Sequence, residues 1–64
     1  MMTEKELFES ALRAVNRSYS YEEMLYGDAL INATEKEKEI AEEYYEDISS
    51  KGLNWAYKYL ETLN

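Results

Sequence analysis

Between Glu35 and Asp47 the chain carries seven carboxylates and two lysines. Carboxylates in such density can exchange protons, hold a cation, or present negative charge to a partner. Proton exchange in catalysis needs two carboxyls whose pKa values are driven apart by burial or close contact. These acids lie mainly on polar helix faces where nothing would desolvate them, so no enzymatic activity is expected.

Glu39, Glu42, Glu43 and Glu46 have ligand-like helical spacings. Carboxylate metal sites in bundles, however, add histidine from inward-facing Glu-x-x-His pairs, and the chain has no histidine. It also lacks the D-x-[DN]-x-[DN]-G loop of an EF-hand. Gly27 and Gly52 stand alone, so there is no glycine-rich phosphate cradle. The absence of cysteine excludes a thiolate zinc site, a disulfide and a cysteine nucleophile. No metal and no cofactor are expected.

That leaves the charge itself. Fourteen acids oppose seven bases, a net charge of −7. Nucleic acid and anionic lipid both need a cationic footprint, so neither is an expected direct partner. A basic protein is. The chain is nonetheless 45% hydrophobic, with seven Tyr, one Trp and one Phe, which sets it apart from disordered acidic chains. The tyrosines could stack on bases, but such platforms lie beside positive charge, and here the neighbours are mostly glutamates. They are expected at the core edge, with their hydroxyls wet.

These side chains must be positioned by helices. There is no proline, and no segment alternates as a strand does. Three capping boxes announce helix starts: Thr3-Glu4-Lys5-Glu6, Ser20-Tyr21-Glu22-Glu23 and Thr34-Glu35-Lys36-Glu37. The first helix is predicted from about residue 4 to 16, with Leu7, Phe8, Ala11, Leu12 and Val15 on one stripe. The third repeats that spacing with Ile40, Ala41, Tyr44, Tyr45 and Ile48, and should stop near Ser50 with Gly52 as its left-handed cap.

Between them, a second helix interrupted near Gly27-Asp28 is read from Ser20 to about Asn32. A fourth, from Asn54, carries Trp55, Ala56, Tyr57, Tyr59, Leu60 and Leu63. A helix apolar on most sides wants burial on most sides, which predicts a central position or a homodimer contact through Trp55, Tyr59 and Leu63. The expected fold is all-α: one domain over residues 1–64, a compact bundle of three to four short helices. Its expected core is Leu7, Phe8, Leu12, Val15, Leu25, Ile40, Tyr44, Ile48, Trp55 and Leu60.

On the third helix, Glu35, Glu39, Glu42, Glu43 and Glu46 fall opposite the apolar stripe, with Asp47 at the margin. Carboxylates four residues apart repeat about every 6 Å, close to the spacing of phosphates along a DNA strand. Each like-charged i, i+4 pair costs about 0.2–0.5 kcal/mol. Glu46 and Asp47 also sit late in the helix, where the dipole favours cations.

The expected function is therefore a non-enzymatic acidic binding protein. Its sharpest form is an inhibitor that occupies the nucleic-acid-binding surface of a basic partner by phosphate-like charge mimicry, as small phage-encoded anti-host proteins do. Two alternatives use the same residues: an immunity or antitoxin protein against a basic nuclease or toxin, and an assembly subunit that oligomerises through its last helix. The N-terminus has no cationic start followed by an apolar run, so the expected location is cytoplasmic. On that ground the two Asn-x-Ser/Thr sequons, at Asn16 and Asn32, are read as chance.

Overall fold

The computed structural model describes residues 1–27 and 29–64. Among these residues there are four helices and no strand: α1 (Glu4–Asn16), α2 (Tyr21–Leu25), α3 (Glu35–Lys51) and α4 (Leu53–Thr62). The all-α bundle expected from the sequence is the fold observed.

All three capping boxes form. The Glu6 N–H donates to Thr3 Oγ1 at 3.1 Å while the Thr3 N–H donates to Glu6 Oε1 at 2.9 Å. Ser20 with Glu23, and Thr34 with Glu37, make the same reciprocal pair. Each box satisfies two backbone donors that a helix start would otherwise leave to water.

The helix ends use different devices. After α1 the chain turns through Ser18, which adopts φ +59° without being glycine. The Tyr19 N–H closes that turn on the Ala14 carbonyl at 2.8 Å. Between α3 and α4, Gly52 takes φ +95° and ψ 165°, a region essentially reserved for glycine. Its N–H donates to the Ile48 carbonyl, ending α3, and its carbonyl accepts from Ala56, starting α4. One glycine thus serves both helices. The predicted fourth helix therefore begins one residue earlier than Asn54, and the third reaches Lys51.

The second helix differs from its prediction. It stops at Leu25, and Gly27, Leu30 and Ile31 are joined by turn hydrogen bonds instead of a continued helix. Asp28, part of the expected interruption, lies outside the described residues. Burial gives the reason for the break. Met24 and Leu30 are both buried, yet on one continuous helix they would point about 120° apart. Ending the helix lets both side chains enter the same core.

That core is built between α1 and α3. Leu7, Phe8, Leu12 and Ile48 are buried as expected, together with Ala11, Ala14, Met24, Leu30, Ala41 and Ala56. The expected core residues Val15, Leu25, Ile40, Tyr44, Trp55 and Leu60 are only half-buried, packed around that centre. Four alanines are among the buried residues, and of the rings only that of Phe8 is fully buried.

The fourth helix is not central. Only Ala56 is fully buried on α4, and Tyr57 is half exposed. The helix lies across α1 and α3 and lays Trp55 and Tyr59 against Phe8. Large rings with polar tips satisfy such a position because the apolar body packs while the tip stays wet. The Cα radius of gyration is 10.6 Å, which matches the value of about 10.7 Å for a compact chain of this length.

Candidate acidic interaction surface

The Ala41 and Ile48 side chains turn α3 toward α1, and both are fully buried. At 100° per residue this directs Glu39 almost straight away from the core, with Glu35, Glu43 and Glu46 to either side. All four are exposed. The helix holding them is continuous over seventeen residues, so their spacing is set by one rigid element.

The other two predicted members sit on the flanks. Glu42 is half-buried and accepts a hydrogen bond from the Tyr21 hydroxyl at 3.0 Å. Burial raises the Tyr21 pKa, and the Glu42 carboxylate raises it further. Tyr45, whose ring meets that of Tyr21 edge to face, donates its own hydroxyl to the Tyr19 carbonyl at 2.7 Å. α2 and the turn before it are thereby fastened to one side of α3, and Glu42 is part of the fastening. Asp47, on the opposite flank, is half-buried near Tyr44, whose pKa its charge helps to raise.

Contrary to expectation, Glu46 and Asp47 do not stand against the helix dipole. Because α3 runs to Lys51, its last turn holds only a base. Glu46 and Asp47 lie a turn further in, where the dipole has faded. The Lys51 ammonium lies 4.7 Å from the centroid of the Trp55 ring, a cation–π geometry. What remains anomalous on α3 is the succession of like-charged i, i+4 pairs.

No family model matches the chain, and neither a curated protein nor a solved structure is significantly similar to it. The site is thus read from its own geometry.

Trp55, Tyr59 and Leu63 pack against the buried core. Trp55 and Tyr59 stack with centroids 5.1 Å apart, and both meet Phe8, as does Tyr44 at 5.0 Å. Much of the apolar surface that marked α4 as an oligomer contact is used within the fold. The tyrosines divide: Tyr21, Tyr44, Tyr45 and Tyr59 fill the core edge as expected, whereas Tyr19, Tyr26 and Tyr57 are exposed.

One carboxylate behaves differently from the sequence expectation. Glu37 is buried, although the acids of this helix were expected mainly on its wet face. One of its oxygens accepts the Thr34 N–H at 2.8 Å and the other accepts the Met2 N–H at 2.7 Å. It therefore ties the N-terminal residues to the start of α3. The Thr34 and Met2 amides hold its carboxyl below the ordinary carboxylate value. The signal was present in the sequence: Glu37 precedes Ala41 by four residues and Ile48 by eleven, which puts it on the core stripe.

The ridge carboxylates diverge into solvent, whereas Glu37 fastens backbone and Glu42 a tyrosine hydroxyl. Among the described residues no three acids come together in a way that would hold a metal ion, and no helix is long and apolar enough to cross a membrane.

Proposed function

We propose that this protein is a non-enzymatic binding protein that presents the outer face of α3 to a basic partner. The observation that carries this reading is the exposure of Glu35, Glu39, Glu43 and Glu46 along one rigid helix, directly opposite its core stripe. In its most specific form the ridge stands in for a run of phosphates, and the protein inhibits its partner by occupying a nucleic-acid-binding surface. The spacing supports this form, since carboxylates one helical turn apart repeat at about 6 Å.

The repulsion between neighbours supports it too. Each like-charged pair costs about 0.2–0.5 kcal/mol in the free protein, and a cationic partner relieves that cost on binding. Part of the affinity would then be stored in the unbound helix.

The test is affinity capture of the partner at low and high salt, followed by competition with duplex DNA. Binding should weaken steeply with salt and be displaced by DNA. Changing Glu35, Glu39, Glu43 and Glu46 together to Gln should abolish capture while leaving helicity unchanged or higher. Salt-insensitive capture, or full binding by the quadruple Gln variant, would sink the reading. Capture that depends on these four residues but resists DNA keeps the basic partner and removes the mimicry.

A further inference from the structure

The outward side of α1 carries a second charged stripe, of opposite design to that on α3. Glu6, Glu9, Arg13 and Arg17 fall within about 80° of one another around the helix, away from Leu7, Phe8, Ala11 and Leu12, which are buried. Glu6, Arg13 and Arg17 are exposed and Glu9 is half-exposed. The acids occupy one end of the stripe and the arginines the other.

The same stripe forms one wall of an open groove. A volume of about 620 Å³ lies between the Arg13–Arg17 end of α1 and the α2 segment. It continues past Ser10 and Ala29 into a further 340 Å³ beside Glu6 and Glu9. Buried Ala14 and Met24 line the larger part, and Tyr26, 75% exposed, stands on the far wall. Tyrosine, methionine and arginine are the types enriched at protein interfaces.

We propose that this face of α1 is a self-association surface, on which a second copy of the chain docks with its α1 antiparallel about a twofold axis. The order of charges identifies the occupant. In an antiparallel pair centred near the level of Ala11, Glu9 faces Arg13 of the second copy, and Glu6 faces its Arg17. The twofold axis repeats both pairings, so all eight charges are matched. The two pairings share a centre to within half a residue, less than 1 Å along the helix.

A uniformly acidic or uniformly basic partner would match only half of the stripe. A twofold interface, by contrast, requires a self-complementary surface. A standard interface buries about 800 Å² on each partner, under a fifth of the 4419 Å² this chain exposes. The face of α1 concerned points away from α3, so the dimer leaves both acidic ridges open.

The test is sedimentation equilibrium on the full chain and on Glu9→Arg and Arg13→Glu variants, with helix content followed by circular dichroism. The parent should dimerise with rising concentration. Each single variant places like charges together at two symmetry-related contacts, and should weaken the dimer about tenfold. An equimolar mixture of the two variants should regain parental affinity as a one-to-one heterodimer, detected by native mass spectrometry.

Arg17→Glu, at an exposed position beyond the packed part of α1, should weaken the dimer similarly and guards against misfolding of the other variants. A parent that stays monomeric at millimolar concentration overturns the proposal, as does a mixture no tighter than its components. A dimer lost in Trp55→Ala but untouched by every charge change would move the contact to α4.

Discussion

Glu37 has the role in the fold that the ridge glutamates lack. Its carboxylate accepts two backbone N–H groups and is held below the ordinary value of 4.5, first by the Thr34 amide and then by that of Met2. Glu6 is lowered in the same direction by its capping-box partner Thr3. A carboxyl whose folded pKa is depressed stabilises the fold above its unfolded pKa, and that stability is lost as pH falls through the folded value. The melting temperature should therefore drop as pH falls below 4.5, and Glu37→Gln should flatten the acid-side slope while lowering the neutral-pH value. Tyr44 works in the alkaline direction. Burial, then the neighbouring Tyr59 hydroxyl, pushes its pKa from 10.0 up to about 12. Its contribution is complete below pH 10.0 and is lost as pH rises toward 12. Tyr44→Phe should remove part of the alkaline destabilisation, as followed by thermal melts and tyrosinate absorbance.

At the scale of elements, the helix boundaries carry more of the design than helix propensity does. Gly52 holds a backbone conformation that other residues adopt only at a cost of roughly 1–3 kcal/mol. A Cβ added there would meet nothing within 4 Å, so the penalty is conformational, not steric. Gly52→Ala should lose about that much stability in urea denaturation and loosen the turn that seats α4. Ser18 is the converse case, a left-handed residue that is not glycine. Ser18→Gly should stabilise by about 1 kcal/mol, since the left-handed strain exceeds the added chain entropy. A loss of stability in Ser18→Gly would mean that its side chain, not its backbone angle, determines the residue at that turn.

For the whole molecule, the thinness of the core sets the margin. A chain of 64 residues has a folding stability on the order of 3–10 kcal/mol. Phe8, fully buried and in contact with three other rings, sits where α1, α3 and α4 meet. Truncating a buried phenylalanine to alanine costs about 3–5 kcal/mol, a large part of that total. Phe8→Ala should be largely unfolded at ambient temperature by circular dichroism, whereas Phe8→Leu should fold with a lower melting temperature. The charge of −7 acts on the same margin. Added salt should raise the melting temperature of the free protein by screening the α3 ridge, and it should do so less in the quadruple Gln variant.

The sequence by itself determined the helices with strong local signals. Thr3, Ser20 and Thr34 with their partner glutamates mark three starts, and Gly52 marks a stop, because capping is chemistry between residues three or four apart. The outward direction of Glu35, Glu39, Glu43 and Glu46 was legible for a similar reason, since helical period alone opposes them to Ala41 and Ile48. Tertiary structure decided what depended on partners distant in the chain. Met2 reaching Glu37, Tyr21 reaching Glu42, and Tyr45 reaching the Tyr19 carbonyl join residues 21 to 35 positions apart. The early end of α2 was decided the same way, because only a shared core could demand that Met24 and Leu30 be buried together. The place of α4 also waited on the fold. Its rings were equally suited to a centre or a rim, and contact with Phe8, distant in the chain, laid them against one side of the core.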